Sequence, residues 1–478
     1  MTRAAPSGLD RAACYRALQT RDARFDGRFF TAVTSTGIYC RPICPTKPPK
    51  LDNCLFLPSA AAAHQLGFRP CLRCRPETAP GLGGWRGTGA TVSRGLRLIA
   101  EGALNGAGVE ALADRLGVTD RHLRRLFDAH VGAGPMAVAQ SQRLLLAKAL
   151  LSDTALPLTD VALAAGFGSL RRFNDAFLKA YGRAPSALRR MQAAPGAGLR
   201  LRLPFAPPYD WPAMAAYLAA RATPGVETAS PDSYARTFRI GAATGVVRVA
   251  PDGDAALAVR VETTDVRVLG AIATRVRALF DLDADVGQIT TSLAADPALA
   301  PLVAARPGLR APGAWDGFDY AVRAILGQQV SVAAASTLAG RIAARFGAPR
   351  AGGGGLERLF PEPAALADAT LEECGVLPAR ARAIRALAGA VARDPAVLSP
   401  ETASQKTLEA LTALPGIGPW TASMIALRAL GDPDAFPAGD LVLRKAMGGL
   451  SAAALERASA RWRPWRAYAA QHLWAVAG

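Results

Sequence analysis

Between residues 91 and 190 apolar side chains return every three to four positions, the spacing of helices that bury one face. Residues 109–130 (VEALADRLGVTDRHLRRLFDAH) set Leu112, Leu116, Val118, Leu123, Leu126 and Phe127 on one face, with Ala113 four residues before Gly117. Residues 158–178 (LTDVALAAGFGSLRRFNDAFL) repeat the plan with Ala162, Gly166, Phe167, Phe173 and Phe177. A small residue, a tight glycine turn and a second amphipathic helix predict two helix-turn-helix units. Thr159 or Ser169 can cap the helices of the second. Residues 199–285 alternate in short runs instead (Thr237–Ile240, Val246–Val249, Leu257–Val261) and predict strands flanked by one or two helices. Residues 286–478 return to helical spacing around a glycine-rich loop at 352–355. Residues 8–76 hold a strand-like run, Phe29–Val33, and few long helical patterns. Gly/Pro-rich breaks fall at 78–90 and 194–198. The expected fold class is multidomain and mainly α. It comprises a small α+β domain (1–77), a linker (78–92), an all-α double helix-turn-helix domain (93–192), and an α+β sheet subdomain (199–285) packed on an all-α domain (286–478).

Charge sharpens this division. Of a net +18, about +8 falls in residues 1–90 and about +6 in 91–195, which points to nucleic acid as the partner of the first 40% of the chain. The N-terminus lacks an apolar leader core and no long uncharged apolar run occurs, so a cytoplasmic protein without membrane partners is expected. Seven cysteines make no disulfide framework. Four of them, Cys40, Cys44, Cys71 and Cys74, form C-x3-C and C-x2-C pairs separated by 26 residues, the spacing of one tetrahedral Zn²⁺ site. The spacing alone fits either a structural clip or a site in which one thiolate is also a nucleophile.

The run from Phe167-Gly168-Ser169 through Tyr181-Gly182-Arg183-Ala184-Pro185 resembles the signature of AraC-type transcription regulators. That resemblance implies two helices in successive major grooves of promoter DNA. Arg121, Arg124, Arg125, Arg171, Arg172 and Asn174 would be the side chains facing phosphates and base edges. RNA polymerase is the further partner expected of such an activator.

Near the C-terminus, Leu414-Pro415-Gly416-Ile417-Gly418-Pro419-Trp420 reads as a helix-hairpin-helix turn. Gly416 and Gly418 permit close backbone approach, and N–H groups at a helix start can hold a phosphate. Asp440 follows Gly418 by 22 residues. A carboxylate there suits N-glycosidic bond cleavage, because it stabilises the oxocarbenium character that develops on the sugar. Capping a helix before Leu441 is a role Asp440 could share. The pair of features resembles the hairpin/Gly-Pro-Asp superfamily of base-excision DNA glycosylases. In the lyases of that superfamily a lysine stands where Trp420 stands, so the resemblance implies a monofunctional glycosylase that leaves an abasic site. No cysteine follows Cys374, so no iron–sulfur cluster is expected.

Trp420, the run Ala321–Ser331 and the C-terminal Trp465–Tyr468 and His472–Trp474 resemble the AlkA-type 3-methyladenine glycosylases. The resemblance covers residues 199–478 and implies Trp420 and Trp474 as aromatic pocket walls, whose π-faces attract alkylated, cationic bases. Two positions depart from it. Gln329 replaces an apolar wedge and Met424 replaces a pocket tyrosine, which bears on substrate range.

Thr36–Pro42 and Gly67–Cys74 resemble the N-terminal domain of Ada-type adaptive-response proteins. That family's first ligand cysteine, here Cys40, takes a methyl group from a DNA phosphotriester, and Cys44, Cys71 and Cys74 would be ligands only. The Pro-Cys-His-Arg methyltransferase centre of many Ada proteins is missing. The combined expectation is an alkylation-damage protein that is at once methyl sensor, transcription activator and DNA glycosylase, binding damaged and promoter double-stranded DNA. The alternative is a DNA-binding regulator with structural zinc and a catalytically inactive glycosylase fold.

Overall fold

The computed structural model describes residues 10–80, 90–189, 199–398 and 404–477. Most of the 78–90 break and all of the 194–198 break lie outside the described residues. In chain order the elements begin with α1 (Arg11–Thr20), β1 (Phe30–Val33), β2 (Ile38–Cys40), β3 (Cys54–Leu57), α2 (Ala60–Gln65) and β4 (Arg69–Pro70). Helices follow: α3 (Ala90–Ala100), α4 (Val109–Arg115), α5 (Asp120–Val131), α6 (Pro135–Asp153), α7 (Leu158–Ala164), α8 (Leu170–Tyr181) and α9 (Pro185–Leu188). The mixed region holds β5 (Leu199–Pro204), α10 (Trp211–Arg221), β6 (Glu227–Ser230), β7 (Ser233–Ile240), β8 (Ala243–Pro251) and β9 (Ala256–Thr263). The helical remainder is α11 (Leu269–Leu279), α12 (Val286–Leu293), α13 (Ala300–Ala305), α14 (Gly317–Leu326), α15 (Val332–Phe346), α16 (Pro363–Ala367) and α17 (Pro378–Arg393), then α18 (Ser404–Thr412), α19 (Pro419–Arg428), α20 (Leu441–Ala446), α21 (Ala452–Ser459) and α22 (Arg466–Ala477).

The multidomain, mainly α class expected from the pattern holds. Compactness divides the chain into two units, one of residues 1–206, 255–274 and 282–284, the other of 207–254, 275–281 and 285–478. The 199–285 segment contributes to both units. Its ribbon β5/β9, antiparallel from Leu199↔Val261 to Pro204↔Ala256, falls in the first unit, while β6–β7–β8 fall in the second. Helix α3 also starts inside the stretch expected as linker.

In the first unit the zinc-type segment is a sheet ordered β3–β1–β2–β4, antiparallel except for β2/β4. Tyr39, Phe30, Leu57 and the alanines of α2 fill one side, and Cys14, Phe29 and Phe56 the other. The helix-turn-helix units form as the pattern predicts. Gly117 (φ +68°) and Gly166 (φ +83°) take the left-handed turns that side chains disfavour. Ser169 caps α8 by accepting from the Arg172 N–H, whereas Thr159 lies inside α7, whose N-cap is Pro157. Phe167, Phe173, Phe177 and Tyr181 form a buried file with centroids 4.3–5.5 Å apart, tilted or edge-on except for the stacked pair Phe177–Tyr181.

The four-cysteine segment is anchored to the helices that follow it. The buried Ser59 caps α2 and donates to Val131 O at the end of α5 (2.7 Å). His64 bonds Ser141 on α6 through Nδ1 (2.9 Å) and the Tyr39 hydroxyl through Nε2 (3.2 Å). Burial pushes the His64 imidazole down to about 4.

In the second unit a core runs from Phe318, Val322 and Ile325 of α14 through Ile342 of α15 and Leu387 of α17 to Ile417 and Ile425 at the hairpin. Arg236 of β7 joins the sheet to this core through Asp319 of α14 (2.9 Å) and Glu227 (3.2 Å). The hairpin and α19 are thereby set on a rigid base.

Candidate zinc centre and glycosylase active site

Strand β2 ends on Cys40, and the loop after it returns Cys44. The loop after β4 carries Cys71 and Cys74 beside them. The four sulfurs lie within 4.8 Å of one another, with Cys44 and Cys71 Sγ 4.0 Å apart. Four ligands around one Zn²⁺ at about 2.3 Å would stand about 3.8 Å apart, so the quartet fits the ion. The hydrogen bonds that crowded sulfurs share pull the thiols apart: those of Cys44, Cys71 and Cys74 push Cys40 up, while that of Cys40 pulls Cys44 down. Zn²⁺ bound here would hold all four as thiolates at neutral pH. Cys44, Cys71 and Cys74 are buried, and Cys40 alone of the four is partly open to solvent.

Arg41 locks this geometry. Its backbone N–H points at Cys74 Sγ (3.4 Å), its Nη1 donates to Cys74 O (3.1 Å) and Thr78 Oγ1 (2.6 Å), and its Nε donates to Asp26 (2.9 Å). The other scattered cysteines, Cys14, Cys54 and Cys374, are buried apart from the quartet.

On α5 the side chains of Arg121, Arg124 and Arg125 are exposed, as are Arg171, Arg172 and Asn174 on α8. Arg124 pairs with Asp120 one turn earlier (2.8 Å) and Arg125 with His122 (3.0 Å). Each of these faces carries positive charge opposite a buried apolar stripe, the arrangement a helix needs to meet a phosphate-lined groove.

The second unit gathers the remaining candidates. Gly416 takes φ +80° in the hairpin and Gly418 caps α19 with extended backbone; both are exposed. Asp440 caps α20, its Oδ1 accepting from the N–H groups of Val442 (3.0 Å) and Leu443 (3.1 Å). The cap occupies Oδ1 with two backbone N–H groups. Two tryptophans converge on it: Trp420 Nε1 donates to Oδ2 (3.0 Å) and Trp474 Nε1 to Oδ1 (3.1 Å). Four donors fix the carboxylate's position and plane. Met424 is half-buried on α19, one turn beyond Trp420 and on the same face.

Gln329 stands exposed in the loop between α14 and α15, with the strained left-handed φ of +55°. Gln328 holds that loop: its Nε2 donates to Gly416 O and Thr421 Oγ1 (both 2.9 Å), and its carbonyl accepts from Arg380. The wedge position and the hairpin are therefore tied together. Sequence reasoning missed the two indole bonds to Asp440, the Gln328 strap and the Arg41 lock. An arginine directly after a candidate ligand and a glutamine pair beside a glycine were the only local signals of the last two.

A sulfur quartet, two basic helix-turn-helix faces and a hairpin beside a carboxylate held by two indoles define a class: a zinc-type DNA-binding regulator joined to a base-excision DNA repair glycosylase. Comparisons agree along the whole chain. The metal binding domain of Ada matches residues 13–77, a helix-turn-helix domain 112–191, the AlkA N-terminal domain 200–316, and the HhH-GPD superfamily of base excision DNA repair proteins 322–460. The chain is 47% identical over 473 residues to the "Probable bifunctional transcriptional activator/DNA repair enzyme AlkA" of Mycobacterium tuberculosis, covering 96% of this chain and 95% of that one. It belongs to that family of bifunctional transcriptional activators and DNA repair enzymes.

Parts of the chain have their own relatives. DNA-3-methyladenine glycosylase 2 of Escherichia coli is 37% identical over 288 residues, 58% of this chain and 97% of that one. The Escherichia coli bifunctional transcriptional activator/DNA repair enzyme Ada is 36% identical over 129 residues, 27% of this chain and 35% of that one. The solved 3-methyladenine DNA-glycosylase from Archaeoglobus fulgidus shares the fold, with a TM-score of 0.52 and 24% identity over 58% of this chain and 97% of that one. Among the described residues no helix is long and apolar enough to cross a membrane.

Proposed function

We propose that the second unit excises alkylated purines such as 3-methyladenine without cutting the strand, and that the carboxylate of Asp440 carries the reaction. The supporting observation is the double indole grip on Asp440. Breaking the C1′–N bond sends its electron pair to the base and leaves positive charge on the sugar. A fixed anion stabilises that charge without reorganising, and it can orient the water that attacks C1′. Trp420 and Trp474 would face the extruded base, Gln329 and Met424 would shape its recognition, and the hairpin N–H groups of Gly416 and Gly418 would hold a phosphate. Trp420 occupies the place of a Schiff-base lysine, so no covalent sugar adduct forms.

The first unit supplies the signal. Cys40 is the accessible sulfur of the quartet. Its thiolate would attack the methyl carbon of a phosphotriester: an S–C bond forms, the C–O bond breaks, and the electron pair leaves on the phosphate oxygen as a diester anion. The quartet loses one negative charge, which would strengthen its hold on a phosphate backbone. Arg121, Arg124, Arg125, Arg171, Arg172 and Asn174 would read the promoter, and RNA polymerase would be recruited there.

Base release from dimethylsulfate-treated DNA tests the catalytic half. Asp440→Asn should lower the single-turnover rate about a thousandfold, the value of a unit charge about 4 Å away at an effective dielectric near 20. Asparagine keeps the cap through Oδ1 but its Nδ2 cannot accept from Trp420 Nε1, so chemical unfolding should show a loss of about 1–3 kcal/mol with the fold retained. A rate within tenfold of wild type would favour the reading in which Asp440 is only a cap. Strand cleavage with a borohydride-trappable intermediate would overturn the monofunctional assignment.

A further inference from the structure

Arg428 closes α19, two turns beyond Trp420, and is only 2% exposed. Its Nη1 donates to Pro312 O (2.9 Å) and its Nη2 to Gln471 Oε1 (2.8 Å). The guanidinium lies between two rings, its Cζ 5.0 Å from the Tyr217 centroid and 5.3 Å from that of Trp474. These partners are a carbonyl, an amide and two π-faces; burial pushes the Tyr217 hydroxyl up, but Arg428, with Arg221 and Arg323, pulls it below its ordinary pKa. Among the described residues no carboxylate forms an ion pair with it. A buried cation with no carboxylate bonded to it is costly, and its field is felt by the groups around it.

Trp474 is the neighbour that matters, because its indole N–H also bonds Asp440. Arg428 is closed to solvent and covers one face of the indole, so a base stacking on Trp474 must use the other. That base would lie about 9 Å from the guanidinium, taking a stacking distance of about 3.5 Å beyond the ring. We propose that Arg428 sets the charge preference of the pocket: a fixed positive charge behind the stacking ring that weighs against cationic bases and favours neutral damaged ones. The proposal rests on Trp474 being a wall of the base pocket.

The sign follows from where the electrons go. A cationic base such as N7-methylguanine enters carrying a positive charge, meets repulsion from Arg428, and becomes neutral when it receives the C1′–N electron pair. A neutral base such as hypoxanthine meets no repulsion, and it becomes anionic as the same pair arrives. Arg428 attracts that developing charge. In both cases the base gives up one unit of positive charge, so the cation lowers the two barriers from the bound state alike; the classes part at binding, where it opposes the first alone, and this offsets the natural preference of an indole face for cations.

The experiment compares full-length wild type with Arg428→Met, Arg428→Lys and Gln471→Glu. Second-order rate constants, taken from single-turnover rates with enzyme held below the dissociation constant, are read on two duplexes, one with N7-methylguanine and one with hypoxanthine. Arg428→Met should raise the cationic-to-neutral rate ratio about tenfold, and Arg428→Lys should leave it within about twofold of wild type. Gln471→Glu places a carboxylate on Nη2 and should move the ratio in the same direction as Arg428→Met while keeping the arginine packed, which covers the case of a Met variant that does not fold. Both rates falling together with an unchanged ratio would reduce Arg428 to a packing residue and overturn the proposal. A wild type that releases neither base would instead overturn the glycosylase reading itself.

Discussion

Replacing Arg41 by alanine removes the one side chain that joins three segments around the sulfur quartet. Asp26 and Arg41 are 8% and 9% exposed, and the fork of Arg41 meets both carboxylate oxygens of Asp26. Alanine leaves Asp26 as a buried, unpaired anion and leaves Cys74 O and Thr78 Oγ1 without their donor. Removing one partner of a buried pair costs about 3–5 kcal/mol, a large share of what a small domain possesses. Thermal unfolding of the first unit should fall by about 10 °C or more, and zinc should pass to a colorimetric chelator at a lower temperature than in wild type. The double variant Arg41→Met/Asp26→Asn removes the stranded charge and should recover much of the loss. A change under about 1 kcal/mol for Arg41→Ala, or a double variant no better than the single, would refute the lock.

Other consequences concern the anchored interface and the hairpin. His64 sits at about 4 in the folded protein against an ordinary value of 6.5, so between those values the unfolded chain binds a proton that the folded chain does not. Stability is therefore whole above that window and falls as pH drops through it, by about 2 kcal/mol at pH near 5; His64→Gln should flatten the fall in urea midpoints, and a variant that tracks wild type would count against the burial argument. Gly416→Ala forces a side chain to φ +80° and sets its Cβ 2.7 Å from that of Ala383. It should cost about 1–3 kcal/mol and weaken binding to abasic-site DNA, measured by chemical unfolding and fluorescence anisotropy, and unchanged affinity would remove the hairpin from the DNA contact.

Local chemistry made much of this legible in sequence. The strands at Thr237–Ile240, Val246–Val249 and Leu257–Val261 showed as alternation, and the helix-turn-helix units showed through Gly117, Gly166 and their apolar faces, because those signals lie within a few residues of each other. Cys40, Cys44, Cys71, Cys74 and Asp440 were readable because ligand spacing and the hairpin-to-carboxylate interval are local too. What stayed hidden is tertiary. The bonds from Trp420 and Trp474 to Asp440 bridge 20 and 34 residues, and the Gln328 strap bridges 88 to Gly416. Arg428 was visible only as an arginine within the apolar run IALRAL, a sign of burial without a sign of purpose. The division of 199–285 between two compact units was unreadable, since β5 and β9 are far apart in sequence and pair only in the fold.

The central claim is that one chain both senses and repairs alkylation, and that Cys40 is the sulfur consumed. Peptide mass spectrometry of the full-length protein, after incubation with DNA carrying methylphosphotriesters, tests this most directly. The account predicts one added methyl group on the peptide holding Cys40, none on Cys44, Cys71 or Cys74, and no adduct in Cys40→Ser. A protein that stays unmodified, or one methylated at a buried cysteine with Cys40 untouched, would contradict it and leave the quartet a structural clip.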